Sequence, residues 1–242
     1  MTSTMKKSIS CARFYNQSKM EELPDSEAEF VQFVCFKTAG SVPADLFQQS
    51  WLSVAEECFS RGIKTIILSE KLPLSSDSSP SRFVAKNVWA SLTAIKGSFS
   101  AGIPPPSSRG HITVSQAGIF KLVHIAKGET KINHNSIYKT GFKVFTMIPC
   151  DAEPFTNDKF MAYADYLHNI NGFEALIVYK LHDISGPRKD WLYGWIIEAF
   201  YNSVNADEES VLPHLINCPI VAKQWEISVH KDYVQMVGEA SI

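Results

Sequence analysis

Apolar positions along this chain fall into two kinds of run that alternate in a regular order. EFVQFVCFKT, from Glu29, is apolar almost without a break, the pattern of a strand covered on both faces. Pro43 then opens a helix, in which Leu46, Phe47, Trp51, Val54, Ala55 and Cys58 recur at helical spacing, and Gly62 ends it. Strands IKTIILSEKL and SRFVAKNVWAS, a helix LTAIKGSFSAG and a strand SQAGIFKLVHI follow. The order then begins again: strand YKTGFKVFTMI from Tyr138, helix NDKFMAYADYLHNI from Asn157, strand GFEALIVYKL from Gly172. It closes with strand DWLYGWIIEAFYNS from Asp190, helix ADEESVLPHL from Ala206 and strand QWEISVHKDYVQM from Gln224. Phe160, Tyr163, Ala164 and Leu167 form one helix face. In the strand from Asp190, strict alternation places Trp191, Tyr193, Trp195, Ile197, Ala199 and Tyr201 on one side and Leu192, Gly194, Ile196, Glu198 and Phe200 on the other.

Each half therefore reads βαββαβ, the split βαβ or ferredoxin-like unit. The expected fold is α+β: two tandem ferredoxin-like repeats whose sheets face each other and close into one intrachain α/β barrel around a cavity. Residues 1–27 are polar and aperiodic and read as a flexible N-terminal arm, residues 28–132 as the first half and residues 133–242 as the second. The turn-rich KGETKINHNS links them, with the boundary near Asn133. PLSSDSSPS and GIPPPSSRG are loops by composition, and Pro104 to Pro106 stiffen the second into an extended rim.

Composition narrows the function. A formal charge of −2 and the absence of a Lys/Arg block exclude a phosphate-tracking surface, so no nucleic-acid partner is expected. Five cysteines without a CxxC pair, with Cys35 and Cys58 in apolar runs, fit buried free thiols in a reducing, cytoplasmic setting. Lys6 and Lys7 are followed by no apolar stretch, and no run approaches a membrane span, so no membrane partner is expected either.

The third strand and following helix of each half resemble the dimeric α/β-barrel superfamily. Its members often carry an aromatic strand, a short Ser turn, a helix, and a Pro-His or His-Pro pair near the helix end. FYNSVNADEESVLPHL presents Phe200, Ser203, Pro213 and His214 in that order; the first half offers Trp89 and Ser91 with no histidine after them. The resemblance extends to fused barrel proteins of fungal secondary metabolism. It implies a cofactor-independent cyclase, isomerase or lyase acting by acid/base chemistry on a hydrophobic polyketide- or terpenoid-like intermediate. A cofactor-free monooxygenase and a noncatalytic binding or stress-responsive protein for an apolar ligand are the alternatives. The heme-binding chlorite dismutase branch is set aside, because no axial-histidine motif is present.

His214 is the first catalytic candidate, since imidazole titrates where protons move to an enol or phenol. Glu198 is the second, because a carboxylate in an apolar strand is costly unless a cation pairs with it or it holds its proton. Tyr179 completes the catalytic set as a phenolic donor, and Trp191, Tyr193, Trp195 and His124 are the substrate-binding candidates. His182 beside Asp183 would need a turn to pair, because neighbours in a strand face opposite ways. HITV at His111 and HNSI at His134 mimic two-histidine phosphoesterase motifs but lie too close together for two lobes. No residues have metal-ligand spacing, and neither a metal nor another cofactor is expected. The partner expected is a hydrophobic small-molecule substrate, on a monomer or homodimer. Chemistry is expected on the second half, with Lys86, Asn87 and Trp89 of the first half only walling the cavity.

Overall fold

The computed structural model describes residues 29–38, 43–59, 61–72, 83–100, 112–127, 141–152, 155–184, 192–202 and 206–237. The N-terminal arm, the linker with the half boundary, the Pro104 to Pro106 rim, Ser203, Trp191, His111 and His134 lie outside the described residues.

The elements run β1 (Phe30–Thr38), α1 (Ala44–Phe59), β2 (Ile63–Lys71), β3 (Phe83–Trp89), α2 (Leu92–Ser100), β4 (Ile112–Lys127), β5 (Gly141–Pro149), α3 (Asn157–His168), β6 (Phe173–Ile184), β7 (Tyr193–Asn202), α4 (Glu208–Ile216) and β8 (Glu226–Val237). The eight strands close into a barrel in the order β1-β3-β2-β8-β5-β7-β6-β4. Every neighbouring pair is antiparallel. Closure removes both sheet edges, which would otherwise leave a row of unpaired backbone groups.

Cut at the β2–β8 and β4–β6 seams, the barrel gives β4-β1-β3-β2 and β8-β5-β7-β6. The two halves thus share one internal strand order, and they share a register as well. Phe33 pairs with Lys86 on one side and Gly118 on the other, as Phe145 pairs with Glu198 and Ser228. Lys86 in turn opposes Ile67, as Glu198 opposes Ile177. Lys86 and Glu198 therefore hold corresponding positions in the two halves.

Three hydrophobic layers follow from strands covered on both faces. Val31, Phe33, Val84, Phe120, Phe145 and Ile177 fill the barrel interior. Phe47, Trp51 and Ile95 of the first two helices pack on Ile66, Leu68 and Ala85 outside the first half. Phe160, Tyr163, Leu167 and Leu215 pack on Val144, Ile197 and Tyr201 outside the second. The α3 helix is capped by Thr156, whose hydroxyl accepts from the Lys159 amide, and α4 by Asp207, whose carboxylate accepts from the Ser210 amide at 2.7 Å.

Gly62 and Gly172 close the first helix of each half with φ of 97° and 81°. A Cβ at Gly172 would lie 2.7 Å from the Ala206 Cβ and 3.1 Å from the Asn202 carbonyl oxygen; at Gly62 the nearest atom, the Ala94 Cβ, lies 3.1 Å away. Left-handed backbone and overpacking together set the expected cost of Gly172→Ala at about 2–4 kcal/mol. Gly62→Ala should cost less, since only its backbone is strongly unfavourable. Urea denaturation of both variants checks the size and the order; equal losses would contradict the clash at Ala206.

Candidate functional site

An alternating strand sends every second residue into the barrel, and among the described residues so placed several are polar and buried. Lys86 on β3, Lys143 on β5, Tyr179 on β6, Glu198 on β7 and His230 on β8 are each 2% exposed or less. The Glu198 carboxylate is the hub. Its Oε2 accepts from Lys86 Nζ at 2.6 Å and from the Tyr179 hydroxyl at 2.9 Å, and its Oε1 lies 3.6 Å from Lys143 Nζ. Lys86 Nζ also reaches the Tyr179 oxygen at 3.4 Å and sits 5.9 Å from the centre of the Phe200 ring. A carboxylate so far from water is tolerable only with opposite charge and hydrogen bonds at hand, and both are supplied.

His230 belongs to the same interior. Its Nε2 is 2.9 Å from the Ser228 hydroxyl, and its ring stands edge-on to Phe145 with centroids 4.8 Å apart. Burial, then the charges of Lys143 and Lys71, hold this imidazole well below its usual range. Farther along the interior, Tyr193 is pushed upward by burial, by its hydrogen bond to Glu226 and by the charges of Glu226 and Cys35. Burial, with Glu226, pushes the Cys35 thiol up to about 12.

The strands bring Glu198 and Tyr179 together and place the other sequence candidates elsewhere. His214 is exposed on α4, and its backbone carbonyl accepts from the Tyr166 hydroxyl at 2.7 Å. It lines an outer groove of about 580 Å³ between α3 and α4, shared with Asp165, Tyr166, Asn169 and Asp207. His124, expected to point inward, instead meets the Phe160 ring of α3 at 5.1 Å, because β4 shifts register between Leu122 and His124. Trp195 packs outward against Phe155 with Lys180 over its ring. Tyr193 faces inward although strict alternation puts it on the Trp195 side; the β5–β7 register shift between Ile148 and Pro149 reverses it. His182 lies beside the Phe30 ring at 5.0 Å.

Lys86, Lys143 and His230 are the residues that the sequence reading passed over. The first is more than a wall of the cavity, since it carries the first half's charge into the Glu198 centre. The signal was the one that singled out Glu198: FVAKNVW and GFKVFTMI each hold one lysine in an apolar strand. A buried carboxylate asks for a buried cation, and these two were available.

Because the His230 and His124 imidazoles are held below the ordinary value while their unfolded counterparts take up protons near 6.5, the unfolded chain binds more protons in acid. Their contribution to stability is present above about pH 6.5 and lost as pH falls below it. The urea midpoint should therefore drop between about pH 7 and pH 5.5. A level or rising midpoint over that window would contradict the burial of these rings.

Among the described residues, no group of three His, Cys, Asp or Glu side chains is placed to hold a metal ion. No helix there is long and apolar enough to cross a membrane. No protein-family profile and no curated protein sequence matches the chain. Solved structures do. The chain is similar to an anthrone oxidase-like protein at 11% identity and a TM-score of 0.54, over 91% of this chain and 98% of the other. A candidate monooxygenase from Fusobacterium nucleatum matches at 10% identity and a TM-score of 0.50, over 87% and 94%. A chlorite dismutase from Candidatus Nitrospira defluvii follows at 12% identity and 0.47, over 86% and 92%. At such identities the first two likenesses establish a shared fold, an α/β barrel, and no more. The third is too distant to argue from.

Proposed function

We propose that the chain is a cofactor-independent small-molecule enzyme that moves protons within the barrel interior, its substrate a hydrophobic polyketide- or terpenoid-like intermediate. The halves, joined near Asn133, are on this reading two diverged ferredoxin-like repeats, which the shared strand order and register support. The observation that carries the reading is the Glu198 hub. A carboxylate, a phenol and two ammonium groups converge where the neighbours are Phe33, Phe145 and Phe200. Glu198 and Tyr179 would exchange the proton, and Lys86 would hold the charge left behind. Cys35, Cys150 and Cys218 are thiols outside any disulfide, which agrees with a reducing, cytoplasmic compartment.

Native mass spectrometry of the purified protein for a retained metabolite would supply the substrate. Turnover of that compound should fall at least a hundredfold in Glu198→Gln and tenfold in Tyr179→Phe, and stay unchanged in His214→Ala. Full activity in a folded Glu198→Gln protein would defeat the proposal. If the compound emerges chemically unchanged, the barrel is a carrier.

A second reading, a cofactor-free monooxygenase, is favoured by the likeness to the anthrone oxidase-like protein. The same proton removal would leave an electron-rich anion able to meet oxygen. Oxygen uptake during turnover separates the two readings.

A further inference from the structure

A carboxylate as deep as Glu198 gives up and takes back protons only if polar groups join it to water. Strand β8 supplies a row of such groups. Glu226, Ser228 and His230 occupy alternate positions, and their partners on β5 are Met147, Phe145 and Lys143. Met147 and Phe145 belong to the apolar filling of the barrel, so the three β8 side chains project inward with them.

The row has an outer and an inner end. At the outer end Glu226 is partly exposed, accepts the hydrogen bond of Tyr193, and acts electrostatically on Lys71 at the end of β2 and on Cys35 of β1. Ser228 stands two residues on, about 7 Å along the strand and within reach of a glutamate side chain. Its hydroxyl is 2.9 Å from His230 Nε2. At the inner end His230 is the Cα partner of Lys143, whose ammonium lies 3.6 Å from Glu198 Oε1. The charged groups beside the imidazole are Lys71 from β2 and Lys143 from β5, and burial together with these charges keeps the ring neutral. A neutral imidazole takes a proton at one nitrogen as it gives one from the other, and either tautomer can begin.

We propose that the Glu226–Ser228–His230 row carries protons between solvent and the centre at Glu198, with Glu226 as its outer terminus and the Lys143 ammonium as the last donor. The route rests on the reading of Glu198 as a proton-exchanging group and adds three residues that act through it. Only O–H and N–H bonds form and break in a passage: an acid of the solvent loses one proton, Glu198 gains one, and every group between returns to its starting charge. Return of the proton along the same row restores the imidazole tautomer.

The test uses the full-length protein with isotope-labelled histidine, the His230 ring signal being assigned by its loss in His230→Asn. Exchange of the ring N–H with water is measured by NMR at about pH 7.5, where the ring is neutral. In Glu226→Gln and in Ser228→Ala that exchange should slow by about tenfold or more, while the Val229 and Lys231 amides exchange as in the wild type. A ring signal lost to fast exchange in the wild type should therefore appear in both variants. Glu226 is partly exposed, so its substitution puts folding least at risk. Unchanged ring exchange in either folded variant, or slowing shared equally by the β8 amides, would overturn the route. The readout needs no turnover, so it stands apart from the Glu198→Gln experiment. Lost catalysis there with unchanged ring exchange here defeats the route alone, and full activity there defeats the proposed function whatever the ring does.

Discussion

Replacing Lys86 by methionine is expected to remove about 3 kcal/mol of stability, seen as a fall in Tm of roughly 10 °C. The stem of the side chain is preserved, so packing changes little. What is lost is the nearest cation to a carboxylate that is 0% exposed, together with a 2.6 Å hydrogen bond. Lys143 remains 3.6 Å from the other oxygen, which keeps the loss toward the lower end of the range for a broken buried pair. The double variant Lys86→Met with Glu198→Leu should be more stable than the sum of the single losses by at least about 1 kcal/mol, because it leaves no charge stranded. Thermal and urea denaturation of the four proteins closes the cycle. Additive losses would mean that the two side chains do not interact as placed.

A loss of similar or larger size, about 3–5 kcal/mol, is expected for Phe33→Ala. Phe33 is fully buried, and its ring meets Phe120, Tyr179 and Phe145 edge-on at 5.5, 5.1 and 6.0 Å. Edge-on pairs add to the area that burial removes from water, so all three contacts go with one substitution. The barrel is closed by backbone hydrogen bonds on every side and cannot collapse readily onto the gap. Leu192→Ala, at a leucine 56% exposed, should stay within about 0.5 kcal/mol and serves as the control. If Phe33→Ala unfolds at the wild-type urea midpoint, the interior is not packed around this ring.

The contrast between what the sequence disclosed and what it concealed has a physical origin. Element order was legible because strands covered on both faces leave unbroken apolar runs, and the first helix of each half ends at a glycine whose backbone needs positive φ. Glu198 was legible for the same reason, as a charge in an apolar strand. Its partners were harder, because Lys86 and Glu198 are separated by 112 positions and meet only when the barrel closes. The inward or outward direction of Tyr193 and His124 depends on register shifts in β7 and β4, which no period-two pattern contains. His214 stood out through its resemblance to a motif, and a short motif carries no information about which face of a helix meets the barrel.

The correspondence of Lys86 and Glu198 bears on how such a barrel can be assembled at all. Two copies of the first half would set lysine against lysine at this point, and two copies of the second would set glutamate against glutamate, at positions that are 1% and 0% exposed. Each half is thus complementary to the other and repelled by its own kind. The charge pair at this point therefore favours closing one half on the other over closing either on a copy of itself, so the barrel specifies its own heterologous pairing.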